Sequence, residues 1–295
     1  MNSLKALPAT LRAWLAGVGL GRGGAAAAYG VLLISLVLTA LAYYYVRQNV
    51  EAQSRLRFEE TAQATQEAIE RRTKAYLDAM LGARALFYAS RSVDRGEWDN
   101  YVEGIEPSEN FEGLQALSYA EGVLPEEREA FFSSRMREQG LPELRPDLSP
   151  GGERKAYFPL TYTGPINEAN ASMLGYDFYS ERSHQEAMDL ARDSGEPQAT
   201  RMVYVLTDSP SSSSSSPISA HLALEEGFVV YLPIYEEGEP RGGLAERREA
   251  LKGFVVGFFV IEGLLGGVFR GEFEPAIDFE VYEWGGCGLK PAALR

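Results

Sequence analysis

Cysteine is nearly absent: the 295-residue chain carries one, Cys287, and a lone cysteine makes no internal bridge. A small disulfide scaffold is excluded, while the length allows one or two ordinary domains with a sizeable core. Histidine is almost as scarce, with His184 and His221 alone, so nitrogen and sulfur ligands are too few for a structural zinc site. Acidic residues are missing from residues 1–46, which hold three of the 28 basic residues (Lys5, Arg12, Arg22) and none of the 42 acidic ones. The remainder is strongly acidic, within a net charge of −14. Such a body repels a phosphate backbone, so no nucleic-acid partner is expected.

Charge of either sign is absent from Gly23 to Val46, a stretch rich in Ala, Val, Leu and Ile that ends in Tyr43-Tyr44-Tyr45. A helix needs about 20 such residues to cross the hydrocarbon core. The tyrosines suit the interfacial belt, and the basic residues before them suit a cytoplasmic N-terminus. Ala40-Leu41-Ala42 also resembles a signal-peptide cleavage site, but the run exceeds the usual h-region, which favours an uncleaved anchor. No later run can span, since Phe254 to Ile261 has the length of a buried strand. The expected topology is a cytoplasmic tail (1–22), a membrane helix (23–46) and an extracytoplasmic or periplasmic remainder on the cell (inner) membrane.

Proline is missing between Pro8 and Pro107, and Gly82 is the one glycine between Gly30 and Gly96. Residues 47–90 are dominated by Ala, Glu, Gln, Arg and Leu, the good helix formers, so a stalk helix continuing the span is expected. Ala62, Ile69, Tyr76 and Ala83 recur at heptad spacing, which predicts a homodimer through a seam poor in Leu and Ile. Beyond it the patterns predict helices near 92–102, 125–139 and 264–269, and strands at 114–123, 156–163, 200–207, 227–235, 253–260 and 277–284. Asn167 is expected to cap a short helix stopping at Gly175. Ser183 and Glu186 have capping-box spacing for a helix ending at Gly195. Six serines, Ser211–Ser216, between Pro210 and Pro217 read as a flexible loop. Helices and strands interleave without regular βαβ spacing, which predicts an α+β fold with antiparallel sheets.

Catalytic signatures are equally wanting. Gly19-Leu-Gly-Arg-Gly-Gly24 spells GxGxxG, but no strand precedes it and the apolar run follows, so the dinucleotide-loop context is absent. There is no GxSxG, HExxH or P-loop lysine. His184 and His221 lack partners that spacing can nominate and read as solvated surface residues; Cys287 reads as an exposed thiol. No catalytic residue, metal or cofactor is expected. The most aromatic stretch is more informative: Tyr157-Phe-Pro-Leu-Thr-Tyr-Thr-Gly-Pro165, then Gly175-Tyr-Asp-Phe178. Asp177 among aromatics could hydrogen-bond a ligand N–H while rings stack on it, or could cap a helix starting near Ser180. Both readings stay open. Asn170-Ala-Ser172 is a glycosylation sequon, relevant in a eukaryotic source.

In order, Tyr157-Phe-Pro-Leu-Thr-Tyr with Pro165, Asn167, Gly175 and Asp177, then Ala191-Arg-Asp-Ser-Gly195, Gly227-Phe-Val-Val-Tyr-Leu-Pro-Ile-Tyr235, Glu246-Arg-Arg and Leu251-Lys-Gly-Phe-Val-Val-Gly-Phe-Phe259, resemble the CHASE domain. This is the extracytoplasmic sensory module of bacterial receptors and plant cytokinin receptors. The resemblance covers about residues 90–285. It implies a stalk helix followed by two PAS-like antiparallel-sheet modules, a membrane-distal ligand-binding one at 91–199 and a membrane-proximal one at 200–285, with a tail at 286–295. It also implies that Asp177 contacts the ligand, that Ala199-Thr200 supplies a further contact, and that Phe158 and Tyr162 line the pocket. Ala199 replaces the leucine of the plant receptors, and Tyr162-Thr-Gly-Pro165 is typical of bacterial members, so the ligand is not assumed to be a cytokinin.

The expected function is therefore small-molecule sensing at a membrane by a receptor input region. A second span and a histidine kinase or diguanylate cyclase output normally follow and are not in this chain, so a truncation point in the tail is expected. The rivals are an anchored binding protein that delivers its ligand to another receptor and, disfavoured by the dearth of His and Cys, a cell-envelope hydrolase.

Overall fold

The computed structural model describes residues 22–138, 154–208 and 222–269. By compactness the chain divides into Met1–Ala64 and Thr65–Arg295. One helix, α1 (Arg22–Ala89), runs 68 residues without a break, as the missing proline predicts. Among the described residues of the first unit, α1 is the only element. From Ala27 onward it contains a window long and apolar enough, by length and composition, to cross a membrane. Its apolar side chains there, Leu32, Leu33, Ile34 and Leu36 among them, lie on the surface, which in water would be a large uncompensated exposure.

The second unit is built on one antiparallel sheet. Its strands are β1 (Leu114–Glu121), β2 (Leu160–Gly164), β3 (Gln198–Ala199), β4 (Val203–Thr207), β5 (Ala223–Tyr235) and β6 (Leu251–Val260), in the order β2-β1-β6-β5-β3, with β4 also on β5. Long β5 pairs with β6 in register from Gly227↔Val260 to Ile234↔Gly253 and shifts by one residue before Tyr235↔Leu251; β6 pairs with β1. Strands from either side of residue 199 thus share one sheet, so a split there does not separate two sheets among the described residues. The strand expected at 277–284, the serine loop, His221 and Cys287 lie outside the described residues.

The sheet's central strands are buried on both faces, which explains their continuous apolar runs. One face carries Leu117, Tyr119, Tyr162, Val230, Leu232, Val255 and Phe259. Onto it pack Tyr76, Met80, Ala83 and Phe87 of α1 and Trp98 and Val102 of α2 (Arg95–Ile105). The α1 residues recur at helical spacing, so the later stalk has one apolar stripe, and that stripe is covered. Gly257 makes room: a Cβ there would sit 2.7 Å from the Phe259 ring and 3.1 Å from Met80 Sδ. Asp94 caps α2 through a capping box with Glu97. Three further helices are α3 (Pro107–Asn110), α4 (Arg128–Glu138) and α5 (Glu168–Ser172); Asn167 caps α5 as expected.

The other face carries Leu160, Val205, Val229, Tyr231, Phe254, Val256 and Phe258 beneath Ala187, Met188 and Ala191 of α6 (Arg182–Ser194). Helix α6 ends at Gly195 with φ 80, the left-handed cap that glycine accepts without strain. Its start differs from expectation. Glu181 holds the cap position with no side-chain bond, so the Ser183–Glu186 box does not form. Among the described residues Ser183 Oγ is buried without a partner, and Glu186 pairs instead with Arg182 at 2.9 Å. Helices α7 (Leu244–Glu249) and α8 (Ile261–Phe269) flank β6.

Candidate functional site

The aromatic stretch folds onto the α6 side of the sheet. Phe158 precedes β2 and is buried, its ring 5.2 Å from both Tyr179 and Phe254. Asp177 follows Gly175, whose positive φ of 78 turns the chain back beside β2. The aspartate is 1% exposed, and its oxygens are occupied. Oδ1 accepts from Phe158 N–H and Tyr179 N–H, each at 3.1 Å, and Oδ2 accepts from Arg154 Nη1 at 2.7 Å. Asp177 therefore caps the short 3₁₀ turn Phe178–Ser180, slightly earlier than spacing predicts. Burial, the largest influence, lifts its carboxyl above the ordinary range, while the Phe158 N–H, Arg154 and the Tyr179 N–H pull it down.

The other expected site residues divide. Tyr162 is on the opposite face, in the α1–α2 cluster, where its hydroxyl donates to Val93 O at 3.0 Å. Phe158 and Leu160 share the α6 face, and the change of face comes within β2. The register with β1 passes from Ala120↔Leu160 to Tyr119↔Tyr162, so Thr161 is the extra residue of a bulge and Tyr162 turns to the other side. Thr200 is buried and clipped to β5: its N–H donates to Val229 O at 2.8 Å and its Oγ1 accepts from Val229 N at 3.0 Å. Ala199 is exposed on β3, opposite Val230. Asp177 and Phe158 are thus in direct contact, Thr200 sits at the sheet edge, and Tyr162 is across the sheet.

His184 corrects an expectation. It is not a solvated surface residue: it is 4% exposed, on the stripe of α6 that includes Ala187, Met188 and Ala191. Its Nδ1 lies 2.7 Å from the Tyr231 hydroxyl and its Nε2 3.8 Å from Glu181 Oε2. Phe178 covers it, ring to ring at 5.0 Å. Burial lowers the imidazole below its ordinary value, with Glu181 opposing, and raises the Tyr231 phenol well above its own. Tyr176 donates to Glu181 Oε1 at 2.6 Å and is pushed up to about 12, first by burial and then by Glu181. The spacing of His184 to residues 187, 188 and 191 is the readable sign of its burial. Arg154 carries no such sign, because its partner is 23 positions away.

Asn170 is fully buried and its Nδ2 donates to Pro165 O at 2.8 Å and Gln115 O at 3.2 Å. The nitrogen that would carry a glycan is therefore spent inside the fold. Among the described residues no three His, Cys, Asp or Glu side chains converge as metal ligands. The α6 side sets carboxylate, guanidinium, imidazole and phenol groups between aromatic rings.

Residues 91–288, two thirds of the chain, match the CHASE domain family. The chain belongs to the CHASE family. This makes the sheet and its helices a sensory input domain of the kind that signalling receptors carry. A similar protein is "Hybrid signal transduction histidine kinase A" of Dictyostelium discoideum, 23% identical over 278 residues. The match covers 90% of this chain and 12% of that relative, so the chain spans a small part of its length.

Proposed function

We propose that the chain is the extracytoplasmic ligand-sensing input region of a membrane signal-transduction receptor. The observation that carries this is the order of parts: one unbroken helix, apolar and long enough to cross a membrane, ends at Ala89, and the CHASE match begins at residue 91. The similarity to a hybrid histidine kinase supports a receptor whose output, a kinase or a diguanylate cyclase, stands on the far side of the membrane. The six-stranded sheet with helices on both faces is the membrane-distal PAS-like module in this reading. Since β1 and β2 pair into strands beyond residue 199, that module would extend to Val260. A small-molecule ligand would be read between the sheet and α6, at Asp177, Phe158 and the Ala199-Thr200 edge, with Tyr162 acting from the opposite face through β2. Binding would shift α6 against the sheet, and the stalk would pass that shift on.

Two expected outcomes follow from this reading. A reporter active only in the cytoplasm, fused after Trp284, stays silent, whereas one active only outside the cytoplasm is bright; strong cytoplasmic activity overturns the topology. The second concerns the dimer. In a Cys287→Ser background, Ala62→Cys or Ile69→Cys cross-links between subunits in the membrane, because residues 62 and 69 begin the heptad series before it turns to the protomer's own sheet. Tyr76 and Ala83 face the sheet, so cross-linking should fade toward them. Failure at every position from 55 to 75 argues for a monomer.

A further inference from the structure

We propose that His184 is a proton-operated latch: in the neutral state its ring, bonded to the Tyr231 hydroxyl, holds α6 on the sheet, and protonation releases it. The inference stands apart from the ligand reading, since it needs only the fold. Apolar contacts of Ala187, Met188 and Ala191 hold the rest of the buried stripe of α6. The C-terminal end of the helix is tied separately, by the Tyr235 hydroxyl to Arg192 O and by Arg247 and Arg248 to Asp193, so the latch concerns its first turns. His184 is the polar member of that stripe, and its 2.7 Å contact with Tyr231 joins helix to strand in the interior.

Each neighbouring element presents different groups. From the residues just before α6 comes Glu181, its carboxylate 3.8 Å from Nε2 and its side chain 47% exposed. The preceding turn brings Phe178 over the ring, and just before it in the chain stand Asp177, held by Arg154, and Tyr176, held to Glu181. Tyr179 in that turn is bonded to Asp189 at 2.9 Å on the next turn of α6, where Arg192 also pairs. Strand β5 brings the Tyr231 hydroxyl, and β6 brings the apolar rings Phe254 and Phe258 around Tyr231 and Phe178.

A neutral imidazole suits that interior; an imidazolium does not, because taking a charge out of water is costly unless it is paired. The nearest carboxylate, Glu181, is at the solvent edge. A protonated ring therefore gains most by leaving Tyr231 and swinging toward Glu181, which lifts Phe178 and the first turns of α6. The direction of the pH effect follows from linkage. Burial lowers the folded-state value below the unfolded one, about 6.5, so the unfolded or opened chain takes up the proton first. The stabilisation by neutral His184 is complete above the unfolded value and declines as pH falls below it toward the folded value.

The test uses the full chain in lipid nanodiscs. With two histidines in the sequence, His221→Gln leaves one imidazole to titrate by NMR. The expected midpoint lies below 6.5, and each unit of depression corresponds to tenfold in the opening equilibrium. Hydrogen exchange, corrected for intrinsic rates and referenced to residues 254–258, should show residues 178–188 losing protection between pH 7.5 and 5.5. His184→Asn should abolish that pH dependence. Glu181→Gln, a half-exposed change that leaves the core intact, removes the attraction for the proton and should move the midpoint further down. A histidine that protonated without opening α6 would feel Glu181 equally but would leave the protection of residues 178–188 unchanged. A midpoint at or above 6.5, unchanged relative protection across that range, a His184→Asn chain that keeps the pH dependence, or no shift in Glu181→Gln would each overturn the latch.

Discussion

Asp177→Ala is expected to lower the stability of the sheet domain by about 3–5 kcal/mol, the usual cost of removing one partner of a buried ion pair. A helix cap alone is worth about 1 kcal/mol. The difference arises because the carboxylate serves three donors at once: Phe158 N–H, Tyr179 N–H and Arg154. Its loss leaves the Phe158 amide buried and unpaired and the guanidinium, at 17% exposure, without its 2.7 Å partner. Asp177→Asn should cost less, about 1.5–3 kcal/mol. One amide oxygen serves either the two N–H groups or Arg154, and the NH₂ then faces a donor. Denaturant unfolding of both variants gives the comparison, and a cycle with Arg154→Ala should show a coupling of about 0.5–3 kcal/mol. An Ala variant that loses only about 1 kcal/mol would reduce Asp177 to its capping role. The same geometry constrains the ligand reading. A ligand that hydrogen-bonds this carboxylate must displace Arg154 or share Oδ2 with it, so affinity and the ion pair would be coupled.

The sequence declares what is local and periodic. A 68-residue helix needs no proline and few glycines, and both conditions can be counted along the chain. Strands β5 and β6 are runs of Val, Leu and Phe between turn residues, and Gly195 marks the end of α6. Facing is harder to read. Phe158 and Tyr162 are four apart, which for a regular strand means one face, but the β1–β2 register shifts between Tyr119 and Ala120, Thr161 is passed over, and Tyr162 turns to the face opposite Leu160. Capping by spacing fails for the same reason at Ser183. The Tyr176–Glu181 bond and the turn at Phe178–Ser180 set where α6 begins, and that turn depends on Asp177 reaching Phe158 and Arg154. Long-range pairs of this kind leave no period in the sequence. His184 is legible in principle, because its spacing to Ala187, Met188 and Ala191 puts it on the stripe that must be buried. A scarcity of nearby partners suggests solvent exposure, yet its partner, Tyr231, is 47 positions away on β5.

Trp98→Ala should be the most damaging change on the α1 side of the sheet, at about 3–5 kcal/mol. The indole is fully buried between the stalk and the sheet. Its ring lies 6.0 Å from Phe87 of α1, 6.1 Å from Tyr162 of β2, in stacked orientation, and 6.5 Å from Tyr101 of its own helix. Removing it takes out the body that α1, α2 and β2 share, and three separate elements cannot close the cavity by a rotamer change. Among the described residues Trp98 Nε1 has no hydrogen-bond partner, so truncation orphans no acceptor and the loss is one of packing. Trp98→Phe should therefore recover most of it, whereas a hydrogen-bonded indole would not be replaced by phenylalanine. The effect should also be directional. Tyr162, freed on one side, should keep its bond to Val93 O, while the end of α1 around Phe87 loosens, its ring left leaning on Tyr119 at 4.3 Å. Hydrogen exchange over residues 83–89 should accelerate in Trp98→Ala, with the α6 side little changed because it packs on the opposite face. Unfolding that costs under about 1.5 kcal/mol, or exchange that accelerates equally on both faces, would mean the indole is not what fastens the stalk to the sheet.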